Sequence, residues 1–150
     1  MRDFRKLNVW EEAHKVILSI YKSTRNFSQE ELYCLTLQLR KAAISIPNNI
    51  AEGCGRNSKK ALYNFLNISR GSSSEVEYLL LLSYDLEYLD RENYSSLSSQ
   101  LVQVRKKLNL FMQQICDDIN VDDKRQNANG KTLTVNKLMA NKLTANLQKD

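Results

Sequence analysis

The sequence predicts an all-α protein, an antiparallel up-down-up-down four-helix bundle followed by a disordered C-terminal tail. Only four glycines and one proline occur in 150 residues, which favours long helices over many short strands. Apolar residues recur at three- and four-residue steps in four segments up to about residue 116. The sequence beyond is polar and repetitive. We therefore divide the chain into a bundle, residues 1–119, and a low-complexity tail, residues 120–150.

Helix 1 is predicted over residues 8–25. Asn8 is its expected N-cap, and Glu11, three residues later, completes a pair that resembles a capping box. Trp10 lies off the apolar face, and a place at the edge of the core is favoured over a place in an interface. The predicted buried face consists of Val9, Ala13, Val16, Ile17 and Ile20.

Helix 2 is predicted to begin at Ser28, which forms a capping box with Glu31. Pro47 interrupts this helix, because proline lacks the backbone N–H and its ring clashes with the carbonyl of Ala43, at a cost of roughly 3 kcal/mol. Either the helix kinks at Pro47, or it stops there and a short helix follows. The apolar spacing stays in phase across the proline, which favours the kink. Gly53 is the expected helix end.

Helix 2 has more apolar surface than a monomeric bundle needs. One stripe faces the predicted core, and a second, half-apolar strip that includes Ile44 lies beside it. Helix 3 repeats this feature with aromatic residues off its core stripe. Both strips predict self-association. The interface candidates are Ile44, Pro47, Ala51, Tyr63, Tyr78, Leu81 and Tyr88.

Helix 3 is predicted over residues 59–89, with Asn57 or Ser58 as its cap. Residues 71–74, a glycine and three serines, are either a break or part of one long helix. The stripe keeps its phase through them, which favours one helix. The predicted core stripe is Leu62, Phe65, Ser69, Ser72, Val76, Leu79, Ser83 and Leu86.

Helix 4 is predicted to follow a turn at residues 90–94, capped by Asp90 or Asn93, and to end near residue 116. In the tail, a five-residue repeat reads LTVNK, LMANK, LTANL over residues 133–147. Because a period of five matches neither a helix nor a strand, a disordered appendage is favoured over a functional segment. The predicted stripe of helix 4 is Leu97, Leu101, Val104, Leu108, Phe111 and Ile115.

Three segments carry a family resemblance: FRKLNVWEEAHKVILSIYKSTRNF at residues 4–27, QLRKAAISIPNNIAEGCGR at 38–56 and FLNISRGSSSEVEYLLLLSYDLEYL at 65–89. In this order they resemble the bacterial 23S rRNA intervening-sequence family, over about residues 4–116. The resemblance implies a four-helix bundle that assembles into a ring, a pentamer. It also implies kinship with the accessory protein of diversity-generating retroelements, a basic ring that binds nucleic acid and a reverse transcriptase.

The net charge of +5 permits a nucleic-acid partner, RNA or DNA, without demanding one. In a ring, basic clusters would repeat around an axis and produce a large local field that attracts phosphates. The other interpretation is that these are ordinary solvated faces, and that the protein is an adaptor for a protein partner. The candidate phosphate contacts are Arg40, Lys41, Arg56, Lys59, Lys60, Arg105, Lys106 and Lys107.

Residues for catalysis or metal binding are sparse. With one histidine, His14, the chain offers no convincing Ser-His-Asp or Cys-His set. Cys34, Cys54 and Cys116 show no metal-ligand spacing, and free thiols fit a reducing cytoplasm. The charged N-terminus does not resemble a signal peptide, and no apolar run is long enough to span a membrane. We therefore expect a cytoplasmic protein without enzymatic activity, cofactor or metal.

Overall fold

The computed structural model describes the backbone of residues 2–147 and the side chains of residues 2–126. No strand occurs in residues 2–147, and the predicted all-α class is confirmed. Three short 3-10 turns accompany the helices, at Phe4–Lys6, Thr24–Asn26 and Gln29–Glu31. The four helices are α1 (Asn8–Ser23), α2 (Leu35–Cys54), α3 (Lys59–Asp85) and α4 (Arg91–Leu147).

Helices α2 and α3 form an antiparallel pair joined by a loop of four residues. The hydroxyls of Ser45 and Ser72 are 2.8 Å apart, and Ser69 Oγ donates to the carbonyl oxygen of Ile46 at 3.0 Å. As the residue number rises on α2 it falls on α3, so the two helices run in opposite directions. Serines on the α3 side of this contact occupy little volume, which lets the helices approach closely.

The first part of α4 packs antiparallel to α1. Ser19 Oγ donates to Gln100 Oε1 at 3.0 Å, and Lys107 Nζ donates to Glu12 Oε1 at 3.0 Å. It also packs against α3, where the rings of Tyr84 and Tyr94 stack with centroids 4.8 Å apart. Helix α4 therefore lies between α1 and α3, as a four-helix bundle requires.

The core stripe of α4 is predicted correctly at all six positions. The stripe of α3 is predicted less well, because Phe65 is only half-buried and Leu86 is 51% exposed, whereas Leu66 and Leu80 are fully buried. Ser69, Ser72 and Ser83 are buried as predicted, and Ser73, which lies outside the predicted stripe, is buried as well. Backbone carbonyls satisfy these hydroxyls, as for Ser83 Oγ, which donates to the carbonyl of Leu79 at 2.7 Å.

Helix α2 continues through Pro47 without stopping, so the alternative of a stop followed by a second helix is wrong. The helix ends at Cys54, one residue after the predicted end, and the N–H of Gly55 donates to the carbonyls of Ala51 and Glu52. Gly53 is instead buried inside the bundle.

The predicted caps of the first two helices are wrong. Asn8 is the first residue of α1 and no side chain caps that helix. Ser28 makes no capping hydrogen bond, because a 3-10 turn follows it and α2 begins only at Leu35. The carboxylate of Glu31 accepts from the N–H of Leu35 at 3.1 Å and caps α2 from outside. For α3 and α4 the caps are Ser58 and Asp90, two of the predicted alternatives.

The end of α3 has a Schellman motif with glutamate where glycine is usual. The N–H of Tyr88 donates to the carbonyl of Ser83, and the N–H of Glu87 donates to the carbonyl of Tyr84. Glu87 consequently has a φ of 61°, in the left-handed region that costs an L-residue roughly 1–2 kcal/mol.

We expect Glu87→Gly to raise the free energy of unfolding by about 1 kcal/mol, because glycine adopts a positive φ without strain. Urea denaturation monitored by circular dichroism measures the change. Glu87→Ala is the matched control, since it removes the carboxylate but keeps the Cβ. Equal stability of the two variants would show that the positive φ carries no cost.

The chain divides into two compact units, Met1–Ile115 and Cys116–Asp150. The bundle contacts described above all belong to the first unit. In the second unit the backbone remains helical to Leu147, beyond the end predicted near residue 116, since no proline interrupts it. The repeat at residues 133–147 lies outside the residues whose side chains the structure describes. The predicted disorder of residues 120–150 stays a prediction.

Candidate nucleic-acid interface

Six cations lie in two chain segments that meet at one end of the bundle. Here α2 ends and α3 begins, and the N–H of Arg2 donates to the carbonyl of Cys54 at 3.1 Å. These segments, residues 2–6 and 52–60, contain two acids, Asp3 and Glu52. We call this surface the basic end. It consists of Arg2, Arg5, Lys6, Arg56, Lys59 and Lys60.

Local structure fixes the positions of these cations. Asp3 accepts from the N–H of Arg5 at 3.1 Å and starts the N-terminal 3-10 turn. Ser58 accepts from the N–H of Ala61 at 3.0 Å, so Lys59 and Lys60 fall in the first turn of α3. Side-chain caps, rather than buried packing, therefore determine the backbone conformation of both chain segments that form the basic end.

Aromatic rings contact three arginines of the basic end, including Arg5, whose guanidinium lies 5.3 Å from the centre of the Phe4 ring. The Arg2 guanidinium lies 5.6 Å from the centre of the Phe111 ring, and that of Arg56 lies 4.8 Å from the Phe65 ring. Arg56 also forms an ion pair with Glu52. Such contacts orient a guanidinium against the face of a ring.

Arg40 lies in the first third of α2, away from the basic end. Its Nε donates to Thr24 Oγ1 at 2.8 Å and its guanidinium lies 4.7 Å from the Tyr21 ring centre, so it is half-buried between α1 and α2. Lys41, one residue later, is exposed. The structure thus brings Arg56, Lys59 and Lys60 together and separates Arg40 and Lys41 from them.

The three neighbouring cations of α4 lie in different surroundings. Arg105 forms an ion pair with Glu77 of α3, and Lys107 forms one with Glu12 of α1 at 3.0 Å, whereas Lys106 is exposed. The hydrogen bond from Lys107 lowers the pKa of the Glu12 carboxyl below its usual value. Arg105 and Lys107 are therefore already neutralised within the bundle.

Arg2, Arg5 and Lys6 were not predicted as members of the basic end. Their charge was visible in the first six residues, but it served there only to exclude a signal peptide. The missing information was the tertiary contact that brings the N-terminus to the end of α2. The available signal in the sequence was the group of basic residues immediately before the first helix, which would have indicated a basic surface at that end of the bundle.

The interface candidates differ in exposure. Tyr78 and Leu81 are 61% and 42% exposed on α3, whereas Tyr88 is half-buried and its ring lies 5.2 Å from that of Phe27. Pro47 is buried by its own chain. The remaining candidates, Ile44, Ala51 and Tyr63, are half-buried.

Among the residues with described side chains, no group of three or more His, Cys, Asp or Glu residues could hold a metal ion. His14 is exposed and its ring stacks on Trp10, with centroids 5.2 Å apart. Trp10 is half-buried, in agreement with a place at the edge of the core. Within the described part of the chain, no helix has the length and apolar character needed to cross a membrane.

Comparison with known proteins agrees with the fold. A solved structure from Bacteroides thetaiotaomicron, described as a protein with unknown function from the S23 ribosomal protein family, is 27% identical, with a TM-score of 0.63. The match covers 69% of this chain and 97% of that chain. No curated protein matches significantly. The model of the 23S rRNA-intervening sequence protein family matches residues 5–110, and the chain belongs to this family.

Proposed function

We propose that this protein is a non-enzymatic, homo-oligomeric bundle, a pentamer, that binds nucleic acid in the cytoplasm through its basic end. The observation that carries the proposal is that two chain segments with six cations and two acids, residues 2–6 and 52–60, meet at one end of the first unit. Phosphate oxygens are the natural ligands of such a surface, and contacts of this kind carry little sequence information. Structured RNA or a ribonucleoprotein is the proposed target.

Oligomerisation strengthens the proposal. The net charge of one basic end is small, but a ring places several copies side by side and raises the local electrostatic potential that phosphates experience. Tyr78 and Leu81, exposed close together on α3, support self-association, because contact with a second copy would remove this apolar surface from water. A reverse transcriptase is a candidate protein partner through the resemblance described above.

The test compares two variants of equal charge. In the first, Arg5, Lys6 and Lys60 are changed to glutamine; in the control, Lys15, Arg70 and Lys106, which lie outside the basic end, are changed likewise. Fluorescence anisotropy with an RNA hairpin and a DNA duplex is measured at several KCl concentrations. We expect the first variant to bind about tenfold or more weakly and to lose about 2 or more from the slope of log K against log salt.

The control variant should bind almost as the wild type does, apart from a small loss of long-range attraction. Equal losses in both variants would mean that net charge alone matters, and would remove the basic end as the site. Absence of binding at low salt would remove nucleic acid altogether.

A protein-binding adaptor is the second candidate. It is favoured by the internal neutralisation of Arg105 and Lys107 and by the high exposure of Tyr33 and Leu110, at 78% and 72%. In that case the RNA titration is flat at every salt concentration, while the oligomer or its complex with a protein persists.

A further inference from the structure

An apolar groove runs between α1 and α2 on the outside of the bundle. Its volume is about 500 Å³, and its lining is mostly carbon. Leu18 is 58% exposed, although it is a leucine in the middle of a helix. The groove is lined by Ile17, Leu18, Tyr21, Lys22, Arg25 and Ile44.

The two helical stretches that line this groove carry only basic charges. Helix α1 has no acid after Glu12, and α2 has none before Glu52, so residues 13–29 and 32–51 contain no Asp or Glu. Five cations fall within these two stretches. Lys15 is paired with Glu11 and Glu12 and is left out of the site. We call the groove and the remaining charge the basic groove; its cations are Lys22, Arg25, Arg40 and Lys41.

Helix α3 carries the opposite pattern on its outer face. Between Arg70 and Arg91 there is no Lys or Arg, so residues 71–90 are free of basic side chains. Glu75, Tyr78 and Asp85 lie three and seven residues apart and therefore share one face of the helix, with Leu81 beside them. Glu75 and Asp85 are exposed, as are both apolar residues. We call these four residues the acidic ridge.

The basic groove and the acidic ridge lie at the same level along the bundle axis. Arg40 contacts Tyr21 and Thr24, which places the middle of the groove level with residue 40 of α2. The contact of Ser45 with Ser72 then places residue 40 opposite residue 77 of α3, because the two helices run antiparallel. Tyr78 is thus level with the groove to within about one helical turn, roughly 5 Å.

One copy cannot bring the two surfaces together. Arg40 and Ile44 lie on the side of α2 that faces α1, whereas Ser45 lies on the side that faces α3. The groove and the ridge therefore occupy different sides of the bundle. A surface whose complement lies elsewhere on the same molecule makes a heterologous contact between copies, which closes into a ring or extends as a chain.

We propose that the basic groove of one copy receives the acidic ridge of the next. Tyr78 enters between Leu18 and Tyr21, and Glu75 faces Lys22 and Arg25. A second copy is a better occupant of the groove than an unrelated acidic protein. The acidic ridge of the same chain matches the basic groove in apolar character, in opposite charge and in position along the bundle axis. This inference rests on the proposed self-association and is independent of the nucleic-acid site.

Charge reversal tests the contact. The groove-reversed variant carries Lys22→Glu and Arg25→Glu, and the ridge-reversed variant carries Glu75→Lys and Asp85→Lys. Light scattering after size exclusion should show each variant shifted from the wild-type mass towards the monomer of 17.4 kDa. A chain with all four substitutions should regain the wild-type mass, because each reversed groove again meets a ridge of opposite charge.

Mixing the groove-reversed and ridge-reversed variants provides a second test of the contact. In a 1:1 mixture the two variants should associate in alternation, because each groove then opposes a ridge of the other variant. Alternation allows only even closed rings or open chains, so an odd wild-type ring should not re-form. Arg70→Glu with Lys106→Glu is the control for charge change, and it should retain the wild-type mass.

Three results would overturn the inference: a monomeric wild type, dissociation of the groove-reversed variant alone, or failure of the four-substitution chain to regain the wild-type mass. Dissociation of the groove variant alone would indicate a symmetric groove-to-groove contact or a foreign acidic partner. RNA binding is measured separately on the four-substitution chain. If that chain has the wild-type mass but does not bind RNA, only the nucleic-acid proposal fails.

Discussion

Replacing Gly53 by valine is expected to lower the free energy of unfolding by about 3 kcal/mol. A Cβ at this position would lie 2.8 Å from Leu62 Cδ1 and 3.0 Å from Phe65 Cβ. The leucine methyl can rotate away, but the Phe65 Cβ is fixed to the α3 backbone. Relief therefore requires α2 and α3 to separate, and overpacking of this kind typically costs 1–3 kcal/mol, more for a β-branched side chain.

Gly71→Val is the matched control for this prediction. Gly71 is also in a helix, but no atom lies within 4 Å of the position its Cβ would occupy. Valine there should be neutral or slightly stabilising, because glycine is a poor helix former. Urea denaturation of both variants gives the comparison. Equal effects would mean that the close approach of α2 to α3 does not depend on Gly53.

Leu66→Ala is expected to destabilise the protein by about 3–5 kcal/mol. The side chain is fully buried in the middle of α3, where the surrounding helices cannot collapse into the space it leaves. Phe65→Ala is expected to cost only about 1–2 kcal/mol, because Phe65 is half-buried and one face of its ring is covered by Arg56. Denaturation midpoints measure both.

This pair of variants also decides the phase of α3. The sequence pattern placed Phe65 in the core stripe and left Leu66 out, whereas the structure buries Leu66 and leaves Phe65 at the edge. A larger loss for Phe65→Ala than for Leu66→Ala would support the phase predicted from the sequence.

The contrast between α4 and α3 shows what periodicity can predict. In α4 large apolar residues mark the inner face from Leu97 to Ile115 without interruption, and all six predicted positions are buried. In α3 the spacing correctly predicts that Ser69, Ser72 and Ser83 are buried, but it leaves out Ser73, Leu66 and Leu80, which are also buried. Small polar residues mark the edges of the inner face weakly, because their burial depends on hydrogen bonds to carbonyls as well as on apolar character.

The candidate site was predictable only in part, for a different reason. Arg56, Lys59 and Lys60 are close in sequence and therefore close in space. Arg2 joins them through a backbone hydrogen bond to Cys54, more than fifty residues away. Conversely, Arg105, Lys106 and Lys107 were predicted as one basic cluster. Consecutive residues of a helix face different neighbours, so Arg105 pairs with Glu77 of α3 and Lys107 pairs with Glu12 of α1.

The serine-lined contact between α2 and α3 fixes the distance between these two helices. Small side chains bring the two axes together, whereas leucine, valine and phenylalanine fill the interior beside α4. Ser69 Oγ reaches across this contact to the carbonyl of Ile46, so a bulkier residue at position 69 would both lose that hydrogen bond and push the two helices apart. Loss of this one hydroxyl therefore affects the spacing of a whole helix pair.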